Sequence, residues 1–214
     1  MFIYSLQENY MRARESQENI YDTALSVFAD FGYQKSTMDD IAGRLSMTKG
    51  NLYRYASCKR ELYEKTVAHC LLKWQSKVGE AIAGETDPRH RFLVMCFKAV
   101  EYLAGDDPFR RLLAHDPDIF PMFAENDPYG EINKNSVGII RDILKQGMAE
   151  GVFREIDPDR ISNIVFMIYK MFIIRTYIQS KDEFIRDMFA DTVELLMHGL
   201  FIDADIDLSD YIQP

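Results

Sequence analysis

One stretch, Thr37–Leu62, limits the fold more than any other. It reads TMDDIAGRLSMTKGNLYRYASCKREL. Thr37 and Asp40 stand in a T-x-x-D spacing. In that spacing the Thr hydroxyl accepts from the N–H three residues on, and the acid reaches back to the cap. Met38, Ile41, Ala42 and Leu45 then fall on one helical face. Ser46-Met47 ends the run. Thr48 is a second cap, opening a short helix through Lys49, Gly50, Asn51, Leu52 and Tyr53. Two short helices joined by a turn of three or four residues make a helix-turn-helix, whose second helix fits the major groove of B-DNA.

Charge points the same way. Between Lys35 and Arg60 stand six basic and two acidic residues, whereas the rest of the chain holds 19 basic and 32 acidic. An acidic protein that gathers its positive charge on one small segment is using it against a polyanion. The net charge of −9 excludes nonspecific attraction of the whole molecule to nucleic acid.

With 214 residues the chain can bury one or two real cores. Cys58, Cys70 and Cys96 are odd in number and show no C-x-x-C spacing, which fits a reducing compartment and gives no zinc site. The N-terminal MFIYSL has no basic region and too short an apolar run for a signal peptide. The longest apolar stretch, Ile164 to Ile174, is broken by Lys170 and reaches about half a membrane span. A cytoplasmic protein with no membrane association is expected.

Along the chain every periodic segment reads as helix. Residues 1–13 read as an arm or an early helical turn. A first helix is expected from about Glu15 to Phe31, ended by Gly32. A long helix follows from about Lys59 to Ile82, then one opened by Asp87-Pro88 and ended at Gly105. Pro108, Pro117 and Pro121 cut the next segment into short helices. A helix from about Tyr129 to Glu150, one opened by Asp157-Pro158 and running to about Gln179, and one from about Asp182 to Phe201 complete the set. Val165 to Ile174 is apolar nearly all round, so that helix is buried on more than one side. A second subunit is the simplest cover. In the tail, Asp203, Asp205 and Asp207 have calcium-loop spacing, but Leu208 and Pro214 stand where such a loop needs Gly and Glu. An acidic solvated tail is expected at 203–214, and no metal or cofactor.

The chain resembles the TetR family of transcriptional regulators. The matching residues are Ala24, Phe28, Gly32-Tyr33, Ser36-Thr37, Asp40-Ile41-Ala42, Thr48-Lys49-Gly50, Leu52-Tyr53 and Lys59. The likeness covers about residues 15–65. It implies an all-α fold, with a three-helix DNA-binding head at 1–57 and a helical effector-binding and dimerisation body at 58–202. It also implies that Thr48, Lys49, Gly50 and Asn51 face base edges or the nearest backbone. Tyr53, Tyr55, Lys59 and Thr37 are then expected on phosphates. Lys49 and Asn51 are suited to guanine and adenine. The chain departs from the family at four places. Ser46 replaces a turn Gly, Tyr55 a His, Ala56 a Phe, and Cys58 a helix-capping Ser. Ser57 is therefore a candidate for the cap, with a shifted helix start.

Catalysis finds no support. His69, His90, His115 and His198 are scattered, with no H-E-x-x-H, no G-x-S-x-G and no phosphate loop. The resemblance implies an effector pocket in the body. Phe92, Met95, Tyr102, Phe109, Phe120, Phe123, Phe166 and Tyr169 are its candidate lining, although aromatics at helical spacing also serve as plain core. Glu101, His115, Lys170 and Arg175 are the polar candidates. Such a lining suits a hydrophobic small molecule. The expected partners are thus double-stranded DNA with a palindromic operator, a hydrophobic effector, and a second copy of the chain docked through its last two helices. The alternative is a helical DNA-binding interaction protein regulated by a protein partner, or one without an effector.

Overall fold

The computed structural model describes residues 2–115, 127–173 and 183–203, with 205, 206 and 211 of the tail; for 2–16, 173 and 183–186 it describes the backbone alone. The described residues form nine helices. They are α1 (Phe2–Lys35), α2 (Met38–Arg44), α3 (Lys49–Leu52), α4 (Lys59–Ala83), α5 (Pro88–Gly105), α6 (Asp107–His115), α7 (Gly130–Ala149), α8 (Pro158–Ile173) and α9 (Glu183–Leu200). β-structure among these residues is one isolated antiparallel bridge, Phe153 to Phe201. No described helix is long and apolar enough to cross a membrane.

Local chemistry explains most boundaries. Thr37 caps α2 in a complete capping box: its hydroxyl accepts from the Asp40 N–H, and its own N–H donates to Asp40 Oδ2 at 2.9 Å. Thr48 caps α3 by accepting from the Asn51 N–H. Asp87 caps α5, and Pro88 takes its first position. Gly32 interrupts α1 with φ 74° and ψ 162°, a conformation L side chains avoid. The helical path extends to Phe2, well before the expected start at Glu15.

Cys58 stands at the α4 N-cap and makes no capping hydrogen bond. The helix start is nevertheless not shifted onto Ser57. Instead Glu61, in the first turn, accepts from the Ser57 N–H at 2.6 Å and from its hydroxyl at 2.5 Å, and pairs with Lys65 at 2.7 Å. The Lys65 ammonium and then these Ser57 donors hold the Glu61 carboxyl down at about 2.

Two buried clusters divide the interior. The first joins α1, α2 and α3 to the first half of α4 through Leu52, Leu62, Val67 and Leu71. Phe109, Leu112 and Leu113 of α6 belong to it as well, so it runs past the expected boundary at residue 57. The second cluster is built from the far end of α4 (Val78, Ile82), α5, α7, α8 and α9. Its end is closed by Phe153 and Phe201, stacked at 4.9 Å, with Phe92 edge-on to both. A Cβ at Gly147 would lie 2.2 Å from the Phe153 ring, so α7 meets that ring only where there is no side chain.

Two outcomes are expected. Gly147→Ala should destabilise the fold by about 2 kcal/mol, as overpacking does, although alanine is the better helix former; denaturant unfolding measures it. Glu61→Gln should cost stability most above pH 4.5, because the depressed Glu61 carboxyl stabilises the fold only while ionised. The gap between wild type and Glu61→Gln should close as pH falls from 4.5 to about 2. A gap that persists at pH 2 would show that the charge is not its source.

Candidate DNA-binding face and body cavity

In α3 only Leu52 is buried; it anchors the short helix in the first cluster. Thr48, Lys49, Gly50 and Asn51 all lie exposed on its outer side, followed by exposed Tyr53 and Arg54. Thr37 is exposed at the start of α2. Tyr55 is half-buried against the cluster. The turn before α3 places Ser46 at φ 53°, the left-handed region. A Cβ-bearing residue there costs about 1–2 kcal/mol, so the position that differs from the family's glycine keeps the glycine conformation.

Gly50 has no such reason. A Cβ there would meet nothing nearer than the Thr48 hydroxyl at 4.0 Å. Glycine costs about 0.8–1 kcal/mol against alanine inside a helix, and among the described residues no close contact requires it.

Several of the basic groups are engaged within the protein. Lys49 Nζ donates to Asp39 Oδ2 at 2.6 Å, linking α3 to α2, and that hydrogen bond raises the Lys49 pKa. Both partners are exposed, so water and salt screen the pair. Lys59 is placed differently from the expected phosphate position. Its ammonium donates to the carbonyls of Tyr33 (2.8 Å), Ser36 (3.0 Å) and Gln34 (3.4 Å), and lies 4.4 Å from the centre of the Tyr33 ring. It therefore closes the C-terminal end of α1, where unsatisfied carbonyls favour a cation. Asp30 of α1 accepts from Arg44 of α2 and from Arg111 of α6, both at 2.9 Å. Those two guanidinium groups, Arg44 first, hold its carboxyl below the usual range.

The body contains a cavity between α4, α5, α7 and α8. Its volume is about 80 Å³, and it opens to solvent. Met95, Phe166 and Tyr169 of the expected lining are present. Phe92 is instead fully buried in the aromatic closure, Phe109 is buried in the head cluster, and Tyr102 carries the Lys77 ammonium over its ring at 6.0 Å. Phe120 and Phe123 lie outside the described residues. Of the polar candidates, Lys170 lines the cavity; Glu101 is exposed and paired with Lys98, His115 is exposed, and Arg175 is outside the described residues.

Most of the walls were not expected. Helix α4 supplies Leu71, Trp74, Gln75 and Val78; α7 supplies Ile132, Asn133, Ser136, Ile139 and Ile140. Cys96, Ala99 and Val165 complete them. Trp74 is fixed by its Nε1–H to the Ala99 carbonyl at 2.8 Å and is stacked on Tyr169. Gln75 donates to the Ile132 carbonyl and the Ser136 hydroxyl. A pair three and four residues past Leu71 on one α4 face was the available signal. Burial pushes the Cys96 thiol up to about 12 and raises that of Cys70 as well, whereas Cys58 is exposed.

Comparison with known proteins follows this division. The family model of bacterial regulatory proteins of the tetR family matches residues 20–66. An uncharacterised HTH-type transcriptional regulator, YhgD of Bacillus subtilis, is 21% identical over 150 residues, covering 70% of this chain and 78% of that protein. The negative regulator of the icaADBC biofilm operon, IcaR of Staphylococcus epidermidis, is 35% identical over 54 residues; these are 25% of this chain and 29% of IcaR. The crystal structure of FadR from Bacillus subtilis in complex with stearoyl-CoA superposes with TM-score 0.69 at 20% identity, over 84% of this chain and 97% of that one.

Proposed function

Because this chain is a DNA-binding transcriptional regulator of the TetR family, we propose that it is a repressor, released from a palindromic operator by a hydrophobic small molecule. The observation that carries the DNA side is Gly50, a helix-weakening residue on an exposed face that the fold itself does not need. Close approach of that helix to a base or phosphate gives it a purpose. In this reading Thr48, Lys49, Gly50 and Asn51 enter the major groove. Thr37, Tyr53 and Tyr55 offer hydroxyls to phosphates, and Lys49 exchanges Asp39 for DNA. Lys59 reaches phosphate only by giving up one of its carbonyls. The head at 1–57 and the body at 58–202 are then a division of labour, with α4 shared between them.

The cavity favours an effector over the partner-regulated alternative, which a sealed body would have suited. FadR shows that this fold can hold an acyl ligand. Dimerisation is supported by an apolar stripe on α8 of Ile164, Met167 and Met171, with Met167 61% exposed, and by Leu195 of α9 at 73%. Ile168 is half-buried and packs into the body, so it belongs to the core more than to the stripe. Two equal heads on a twofold dimer read a near-palindrome. An effector releases DNA only if it binds the DNA-incompetent arrangement more tightly. A coupling of about 1–3 kcal/mol changes DNA affinity about 5–150-fold.

The DNA reading is tested on a duplex selected by the purified protein from a random pool. Gly50→Ala should weaken binding at least about tenfold while raising stability by up to about 1 kcal/mol. Lys59→Ala separates two roles in the same titration. A salt slope smaller by about 1 assigns it to phosphate. An unchanged slope with lower stability leaves it as the end of α1. Unchanged binding in Gly50→Ala would remove α3 from the interface.

For the dimer, sedimentation at micromolar concentration should give a dimer for wild type. Met167→Asp should give a monomer with unchanged helical content, since an unpaired charge in an apolar contact costs several kcal/mol. A wild-type monomer would sink the proposed interface.

A further inference from the structure

The chemistry of the cavity walls narrows the ligand class, on the premise that the cavity is the effector site. The walls are mostly apolar, and their polar side chains are largely committed. Trp74 donates to the Ala99 carbonyl, and Gln75 to Ile132 and Ser136. Asn133 donates to Asp127 Oδ2 at 2.6 Å, and the other Asp127 oxygen accepts from the Tyr129 N–H at 2.9 Å. Lys170 is the exception. It is a half-buried ammonium on the cavity wall, 5.5 Å from the centre of the Phe166 ring, and no described carboxylate lies within ion-pair distance of it. Asp127 acts on it only at longer range, and burial lowers the Lys170 pKa. A cation in such a place is stabilised by an anion that brings its own apolar cover.

We propose that the effector is an amphipathic monoanion, an apolar chain or ring bearing one carboxylate, which pairs with Lys170 while its apolar part lies along Trp74, Val78 and Met95. Lys170 keeps part of its side chain in solvent, so the carboxylate sits where the cavity meets water. The cavity, about 80 Å³, opens to solvent, so the rest of the apolar part extends toward its mouth.

Trp74 is the single tryptophan of the chain and stands in the cavity wall, so its fluorescence reports occupancy. The protein is titrated with decanoate, decanol and decyltrimethylammonium, each below its micellar concentration. The expected result is saturable binding, with decanoate about tenfold tighter than decanol and the cation weakest. Lys170→Met should abolish the preference for decanoate, leaving decanol unchanged, and Lys170→Arg should restore it. Decanol or the cation binding as tightly as decanoate would overturn the monoanion inference, as would a preference that survives in Lys170→Met. Either result would leave the cavity reading standing. Absence of a saturable Trp74 response to all three probes would overturn the cavity reading and this inference with it.

Discussion

Helix α4 runs unbroken from Lys59 to Ala83, about 38 Å at the usual rise of 1.5 Å per residue. Its first turns are fixed in one buried cluster by Leu62, Val67 and Leu71, and its last turns in another by Val78 and Ile82. Neither set can shift alone, because packed interiors resist displacement of even a methylene. Between the two lie Trp74 and Gln75, on the cavity wall. The helix that lines the cavity is thus the one whose N-terminal end carries Lys59 into the carbonyls of Tyr33, Gln34 and Ser36. Those residues immediately precede or adjoin the Thr37 cap of α2. The two buried clusters share one helix.

A second link runs along the surface. Asp30 holds Arg44 of the first motif helix and Arg111 of α6 on one carboxylate. Helix α6 is joined to α1 through Phe109, Leu112 and Leu113 in the same buried cluster. A movement of α6 would change the partners of Asp30, and with them the constraint on Arg44. The α4 link is buried and steric, and the Asp30 link is exposed and screened by salt.

Features that depend on a few neighbouring residues were legible in the sequence. Thr37, Thr48 and Asp87 cap the helices they were expected to cap, since a cap needs only its own next three residues. The all-helical order and the exposed Thr48–Asn51 face were legible for the same reason. The cavity lining was not. Phe92, Phe109 and Met95 have equivalent helical spacing, and only the packing of distant helices turns Met95 to the cavity and the other two into core. Trp74 and Gln75 stand in the sequence only as part of a long helix, whose pattern gives no sign of which side meets α7. Lys59 was hidden by distance along the chain: its carbonyl partners lie 23 to 26 residues upstream. The cap of α4 was half legible. Cysteine was recognised as a poor cap, but the reach of Glu61 back to Ser57 was missed.

The distribution of the three thiols has a practical consequence. Cys70 is sealed in the head cluster and Cys96 in the cavity wall, while Cys58 sits exposed at the joint between motif and α4. Alkylating reagents meet one accessible sulfur per chain, at the base of the head. In the proposed dimer, two copies labelled there would carry a spectroscopic ruler across the pair, its length tracking how far apart the two motifs stand. The substitution of cysteine for a capping residue thus leaves the protein with a built-in attachment point at the place where its geometry is most informative.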